Sequence, residues 1–155
     1  AVLGIYLILK DAEGFRRYIW MLALSFFSAT VFCILVPNCQ ELRPADLEVT
    51  DTFTWAVQLT YDLDTNTNVF PSVHVLGVVA AVSSVWETPG LRRTWWRWAA
   101  AAYGLVIIAA TLLVKQHALL DVAAAIPWGL LSYFIVYHVI GRRRDTLLDL
   151  RLQRE

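Results

Sequence analysis

Four long uncharged runs dominate the chain: Tyr18 to Val36, Val69 to Trp86, Trp98 to Val114 and Val122 to Ile140. Each is near the roughly 17 to 25 residues that cross a bilayer as an α-helix, so the pattern predicts four membrane spans. The apolar opening from Ala1 to Leu9 is too short to cross alone and lacks the basic start and cleavage site of a signal peptide. It reads as the tail of a truncated helix, with one or more N-terminal spans expected before it. Lys10-Asp11-Ala12-Glu13-Gly14 separates the first two helices, and Pro89-Gly90 stops the one ending near Trp86. Connections are tight except from Asn38 to Asn68. There Arg43-Pro44 predicts an extended start, and Asp51 to Tyr61 mixes Phe53, Trp55, Val57 and Leu59 with polar residues. That mixture suits a short helix lying at the membrane interface, or a re-entrant loop.

Composition supports the membrane reading, with 58% hydrophobic residues, 17% charged and a mean hydropathy of +0.54, far from a soluble domain of this length. No repeat, low-complexity tract or second domain is visible. The expected architecture is therefore all-α, a single polytopic transmembrane helical bundle over residues 1–155. If the spans alternate, Lys10, Arg16 and Arg17 share a side with Arg92, Arg93 and Arg97 and with Arg142, Arg143 and Arg144. That side is expected to be cytoplasmic. The opposite side, extracytoplasmic for a protein of the plasma membrane, receives Arg43, the Pro71 to His74 segment and the Lys115 to Asp121 segment. Arg43 and Lys115 are its only Lys or Arg residues. Snorkelling to lipid headgroups would account for either one alone, but both fall beside candidate chemistry.

That chemistry rests on ionisable groups set in or beside apolar stretches, where they are costly and usually kept for function. Asp121 follows His117 by four residues, hence one helical turn away on the same face. From there it can hold one imidazole nitrogen and leave the other unprotonated for nucleophilic attack. Pro71 and Ser72 stand just before an apolar run, as at a helix N-terminus, where backbone N–H groups and the Ser72 hydroxyl favour an anion. His74, in the first turn of that helix, suits a general acid. A metal site is the rival for His117 and Asp121, although no Cys lies near and His74 would have to complete it. His138 lies near the cytoplasmic end of the last span, as a packing or interfacial residue. Trp20, Trp86, Trp95, Trp96 and Trp98 mark membrane boundaries, with no nucleic-acid or cofactor role implied. Cys33 and Cys39, six residues apart on what reads as one helix, are not expected to pair. Pro127 is expected to kink the last helix, and Arg142-Arg143-Arg144 to contact headgroups.

Together these segments resemble the type 2 phosphatidic acid phosphatase superfamily, whose pattern is K-x6-R-P, then P-S-G-H, then S-R-x5-H-x3-D on three outward-facing segments of a helical bundle. Arg43-Pro44, Pro71-Ser72 with His74, and His117 with Asp121 match in order, spacing and sidedness. The resemblance implies that His117 attacks phosphorus to form a phosphohistidine, that Asp121 orients it and that His74 protonates the leaving alkoxide. It further implies that Arg43, Ser72 and the Val73 amide bind phosphoryl oxygens, that no metal or cofactor is needed, and that the partners are a lipid phosphate and the bilayer. Four positions depart from the pattern. Val36 stands where the first lysine is expected, Val73 replaces the glycine, and Ala110-Thr111 replaces the serine-arginine pair. Lys115, four residues after Thr111, would replace the arginine if that helix continues. Val73 is harmless only if its φ is negative.

The expected function is thus a membrane lipid phosphatase acting on a phosphomonoester or pyrophosphate at the outer face. One alternative passes the phosphoryl or phospho-headgroup to an alcohol, as in the related inositol phosphorylceramide synthases. Another is a non-catalytic transporter or flippase with His74, His117 and Asp121 as a proton relay.

Overall fold

The helix that the others pack around, α4 (Val73–Glu87), is the shortest of the four apolar ones. The computed structural model describes residues 2–44 and 46–141, and among these the regular structure is helical. Besides α4 there are α1 (Val2–Lys10), α2 (Ala12–Leu35), α3 (Thr52–Leu63), α5 (Thr94–Leu113) and α6 (Leu119–Tyr133). The last continues as π-helical turns over Phe134–Ile140. The run from Arg142 to Arg144, expected to meet headgroups, lies outside the described residues.

Among the described residues three helices are long and apolar enough to cross a membrane: Ala12–Leu35, Thr94–Leu113 and Leu119–Ile140. The prediction of four full spans is corrected at the second run, which folds as a helix of only 15 residues. The cause is local. Pro71 lacks an N–H and disfavours helix at Phe70, and Ser72 caps the helix by accepting the Val75 N–H at 3.4 Å. The apolar residues Val69 and Phe70 therefore lead into α4 without belonging to it. At about 1.5 Å per residue α4 is roughly 22 Å long, short of the ~30 Å hydrocarbon layer.

Burial explains why a short helix suffices. α4 buries Val75, Leu76, Val78, Ala80, Ser84 and Val85, whereas α5 buries only Gly104 and Thr111. Ala29 of α2, Val75 and Leu76 of α4 and Val122 and Ala125 of α6 form one core cluster. Met21, Ala80, Val136 and Tyr137 form a second one nearer the opposite end. Two glycines bring helices close to α4. A Cβ at Gly104 would stand 2.7 Å from Val78 Cγ1, and one at Gly129 would stand 2.9 Å from Val79 Cγ1. Such small residues permit close helix approach where lipid supplies no hydrophobic drive between helices.

The ends of the bundle differ in chemistry. Asp11 separates α1 from α2 and caps α2 by accepting the Gly14 N–H at 2.9 Å. Glu13 pairs with Arg16 and Arg17 at this end, and Tyr133 donates to Glu87. Arg97 reaches the Trp86 carbonyl, with its guanidinium 5.6 Å from the indole centre. His138 lies here, against the rings of Tyr133 and Phe134. The helix runs through Pro127, and the π-helical turns come seven residues later.

At the other end, residues 37–70 leave α2 and return to α4. Asn38 to Gln40 pairs with Asn66 to Asn68, through Gln40 N–H to Asn66 C=O at 3.0 Å and Asn68 N–H to Asn38 C=O. Cys39 belongs to this pairing and Cys33 to α2, so they do not share a helix, and both are free. The predicted short helix is present as α3. Asp51 caps it, exchanging hydrogen bonds with Thr54 that hold its carboxyl below the usual range.

Candidate active site

His117 lies in the turn between α5 and α6, and backbone geometry fixes it from both sides. α5 ends at Leu113, after which Lys115 adopts φ 56°, in the left-handed region. The Lys115 N–H then reaches the Leu112 carbonyl at 3.1 Å and the Gln116 N–H reaches Thr111 at 3.0 Å. This is a Schellman termination with lysine at the position glycine usually fills; a left-handed L-residue costs roughly 1–2 kcal/mol. On the far side, Asp121 Oδ2 accepts the Ala118 N–H at 2.7 Å and starts α6. The Ser72 N–H bonds to the Asp121 carbonyl at 3.3 Å, tying α6 to the start of α4.

These ties bring the predicted catalytic residues together. His117 Nε2 lies 3.1 Å from His74 Nδ1, and His117 Nδ1 lies 3.5 Å from Asp121 Oδ2. His117 is 4% exposed and Asp121 5%, whereas His74 is exposed. The contact to Asp121 is within ion-pair distance but is not aligned as a hydrogen bond, leaving Nδ1 a buried nitrogen without a hydrogen-bond partner among the described residues. Asp121 therefore acts on the ring chiefly as a nearby negative charge, its Oδ2 being engaged by Ala118. Burial, and then His74, push the His117 imidazole below the ordinary histidine range, with Asp121 and Asp64 pulling the other way.

The predicted phosphate ligands fare differently. Ser72 is fully buried as the N-cap of α4, its oxygen engaged by Val75. Val73 opens the helix, and its φ is negative, because Asn68 and Lys115 are the only described non-glycine residues with positive φ. The branched side chain is therefore accommodated. The Val73 and His74 amides have no partner among the described residues, as expected of the first amides of a helix. Arg43 Nη1 donates to the carbonyls of Tyr61 at 3.2 Å and Asp64 at 2.6 Å, and Nη2 to Thr65 at 3.3 Å. Its guanidinium lies 4.7 Å from the Tyr61 ring centre, so it closes the C-terminus of α3. Arg43 Nε remains buried without a partner among the described residues.

The expected placement of Lys115 is corrected. It does not continue the face of Thr111, because α5 ends at Leu113 and the chain reverses its handedness at Lys115. Its side chain is exposed, and its ammonium makes no ion pair among the described residues. Thr111, at the arginine position, is buried and bonded to the Ile108 carbonyl at 2.8 Å. Val36, at the lysine position, caps the end of α2 and is 49% exposed.

Four residues around the site carried no role in the sequence reading. Gln40 is buried and donates to the carbonyls of Lys115 at 3.0 Å and Gln116 at 3.3 Å. Tyr61 donates its hydroxyl to the Val114 carbonyl at 2.7 Å, and Gln116 donates to Asp64 Oδ2 at 3.1 Å. Gln116 stood beside His117 in a segment already singled out, which is the only signal any of them offered. No group of three His, Cys, Asp or Glu able to hold a metal occurs among the described residues.

Two imidazoles in contact, a carboxylate behind one of them and free amides at a helix start form an arrangement suited to phosphoryl transfer. Neither the comparison with curated proteins nor that with solved structures gives a match. The family model described as PAP2 superfamily matches residues 14–145, which include all the residues just placed. With apolar helices, site order and family match in agreement, this integral membrane protein belongs to the PAP2 superfamily.

Proposed function

We propose that the protein is a lipid phosphatase that moves the phosphoryl group of a phosphomonoester or pyrophosphate first to His117 and then to water. The observation that carries this reading is the row in which the buried Asp121 lies 3.5 Å from one nitrogen of the buried His117 and the exposed His74 lies 3.1 Å from the other. If His74 Nδ1 carries the proton of that contact, His117 Nε2 is the acceptor and its own proton sits on Nδ1, facing Asp121. The Nε2 lone pair then attacks phosphorus as the bond to the lipid oxygen breaks, and His74 gives its proton to that oxygen. In the second half His74 takes a proton from water, whose oxygen displaces His117 and releases phosphate.

Phosphoryl oxygens are held in this reading by the Val73 and His74 amides at the start of α4, by the free Nε of Arg43 and by the Lys115 ammonium. Ser72 supports them by capping that helix, and its hydroxyl proton is left to donate. The shortness of α4 favours a lipid substrate, because at least one of its ends lies below headgroup level. A phosphate can enter there while the tails stay in hydrocarbon. Arg16, Arg17, Arg92, Arg93 and Arg97 belong to the opposite end, which favours an extracytoplasmic site.

A second reading, transfer to an alcohol, is favoured by Val36 and by the engagement of Arg43 with carbonyls, which leave the phosphate cradle sparse. Purified protein given lipid phosphates with a chelator present, with and without an added alcohol, separates the two. Inorganic phosphate is expected with chelator, while an alcohol phosphate as the sole product would favour transfer. A requirement for divalent metal would sink the mechanism.

A further inference from the structure

The outer face of α3 bears an apolar stripe with no covering element among the described residues. Trp55, Leu59 and Leu63 stand four residues apart, in line along the helix, and are 56%, 41% and 79% exposed. No residue of α3 is buried, and no other helix packs broadly against it. Tyr61, two positions from both Leu59 and Leu63, lies on the opposite side at about 100° per residue. Its hydroxyl holds the Val114 carbonyl at 2.7 Å, and Asp64, just past the helix end, holds Gln116 at 3.1 Å. The inner side of α3 is thus fastened to the turn that carries His117, largely by hydrogen bonds.

The stripe is placed against a particular surface. Tyr61 anchors α3 at Val114, directly beside Leu113, which is 82% exposed; across the turn Leu119 and Leu120 are 72% and 69% exposed. These belong to the apolar girdles of helices long enough to span a membrane. The stripe therefore lies at the same end of the bundle as these exposed leucines and the site. The segment from Pro37 to Phe70 carries six acidic residues against Arg43 alone, so attraction to anionic headgroups does not hold it there.

We infer that α3 docks through Trp55, Leu59 and Leu63 into the surface of the bilayer and, through Tyr61 and Asp64, holds the His117 turn in its working geometry. Contact with lipid is then a positioning element of the site. The coupling rests on the phosphatase reading given above; the docking does not.

A spin label at Leu59→Cys, in a Cys33→Ser, Cys39→Ser background in phosphatidylcholine proteoliposomes, tests the docking without reference to activity. The label is expected to collide more with oxygen than with a water-soluble nickel chelate, and to do so equally at high salt. Preferential nickel access, or label-to-label coupling showing a second copy on the stripe, would overturn it. For the coupling, Trp55→Ser/Leu63→Ser and Tyr61→Phe are compared with wild type on a short-chain phosphatidate. Both are expected to lower kcat at least about fivefold with KM within twofold, and Tyr61→Phe keeps the test valid if the double variant fails to fold. Unchanged kcat in Tyr61→Phe would overturn the coupling. Absence of phosphate release by wild type would instead refute the phosphatase reading, leaving the label result to stand.

Discussion

The helix ends that carry His117, Asp121 and Ser72 and the segment from Pro37 to Phe70 meet at one site but are held by different forces. The helix ends sit on packed apolar cores, with Val75, Leu76 and Val122 beneath them, and their polar residues are almost fully buried. The 37–70 segment contributes no buried α3 residue and is attached through side-chain hydrogen bonds: Gln40 and Tyr61 donate to the carbonyls of Lys115, Gln116 and Val114, and Asp64 accepts from Gln116. The covalent chemistry of the proposed mechanism needs reacting atoms held within a fraction of an ångström, and its proposed residues lie where three helices converge. Recognition of a large amphiphile tolerates a more adaptable surface, and the departures Val36 and Lys115 fall on or beside that surface.

The largest expected effect breaks the packed half. His117→Ala should abolish phosphate release, by at least about 10⁴-fold, with helical content by circular dichroism unchanged. His74→Ala should cost about 10²–10⁴-fold in kcat, least on a substrate whose leaving group departs without a proton. The pH profiles of kcat/KM sharpen the assignment. In the proposed mechanism neutral His117 attacks, so activity should fall as pH drops through its pKa, which burial and His74 push below the ordinary value. His74 contributes to that depression, so in His74→Ala the acid limb should move to higher pH. Asp121 opposes it, so in Asp121→Asn the limb should move lower. Limbs that do not move would remove these residues from contact with the nucleophile.

Next in size is Gly129→Leu, which forces α6 away from Val79 of α4. It should lower thermal stability by about 1–3 kcal/mol, read as a lower Tm in detergent, and activity should fall with it. On the adaptable half, Gln40→Leu leaves the Lys115 and Gln116 carbonyls without their amide donor. A penalty of about 1–3 kcal/mol applies to such groups, and it should appear in kcat more than in KM. The smallest effect belongs to Lys115. Lys115→Ala and Lys115→Gly should both raise KM a few-fold through loss of the ammonium, and only the glycine should also raise Tm, by relieving φ 56°. Normal KM in both variants would exclude Lys115 from phosphate binding.

The same division governs what could be read in the chain. The His117 and Asp121 pair was legible because its constraint is a local four-residue step, and the Ser72 cap because Pro-Ser before an apolar run signals a helix start. A short helix between Asp51 and Tyr61 was legible from its aromatic and polar mixture. The length of α4 was misjudged because hydropathy counts Val69 and Phe70, whereas helix formation begins only after Pro71 and Ser72. Lys115 was misplaced because nothing in a non-glycine residue announces a left-handed turn. Gln40 and Tyr61 were invisible for another reason. Their partners are backbone carbonyls 53 to 76 positions away, which leave no residue type to match.

The central claim is that His117 carries the phosphoryl group, and acid- and base-quench trapping tests it most directly. Proteoliposomes given a ³²P-labelled short-chain phosphatidate in the presence of chelator, stopped within one turnover, should hold label that survives base, is lost in acid, maps to the His117 peptide and is absent from His117→Ala. Label that persists in His117→Ala, or phosphate release without any labelled protein, would contradict the account.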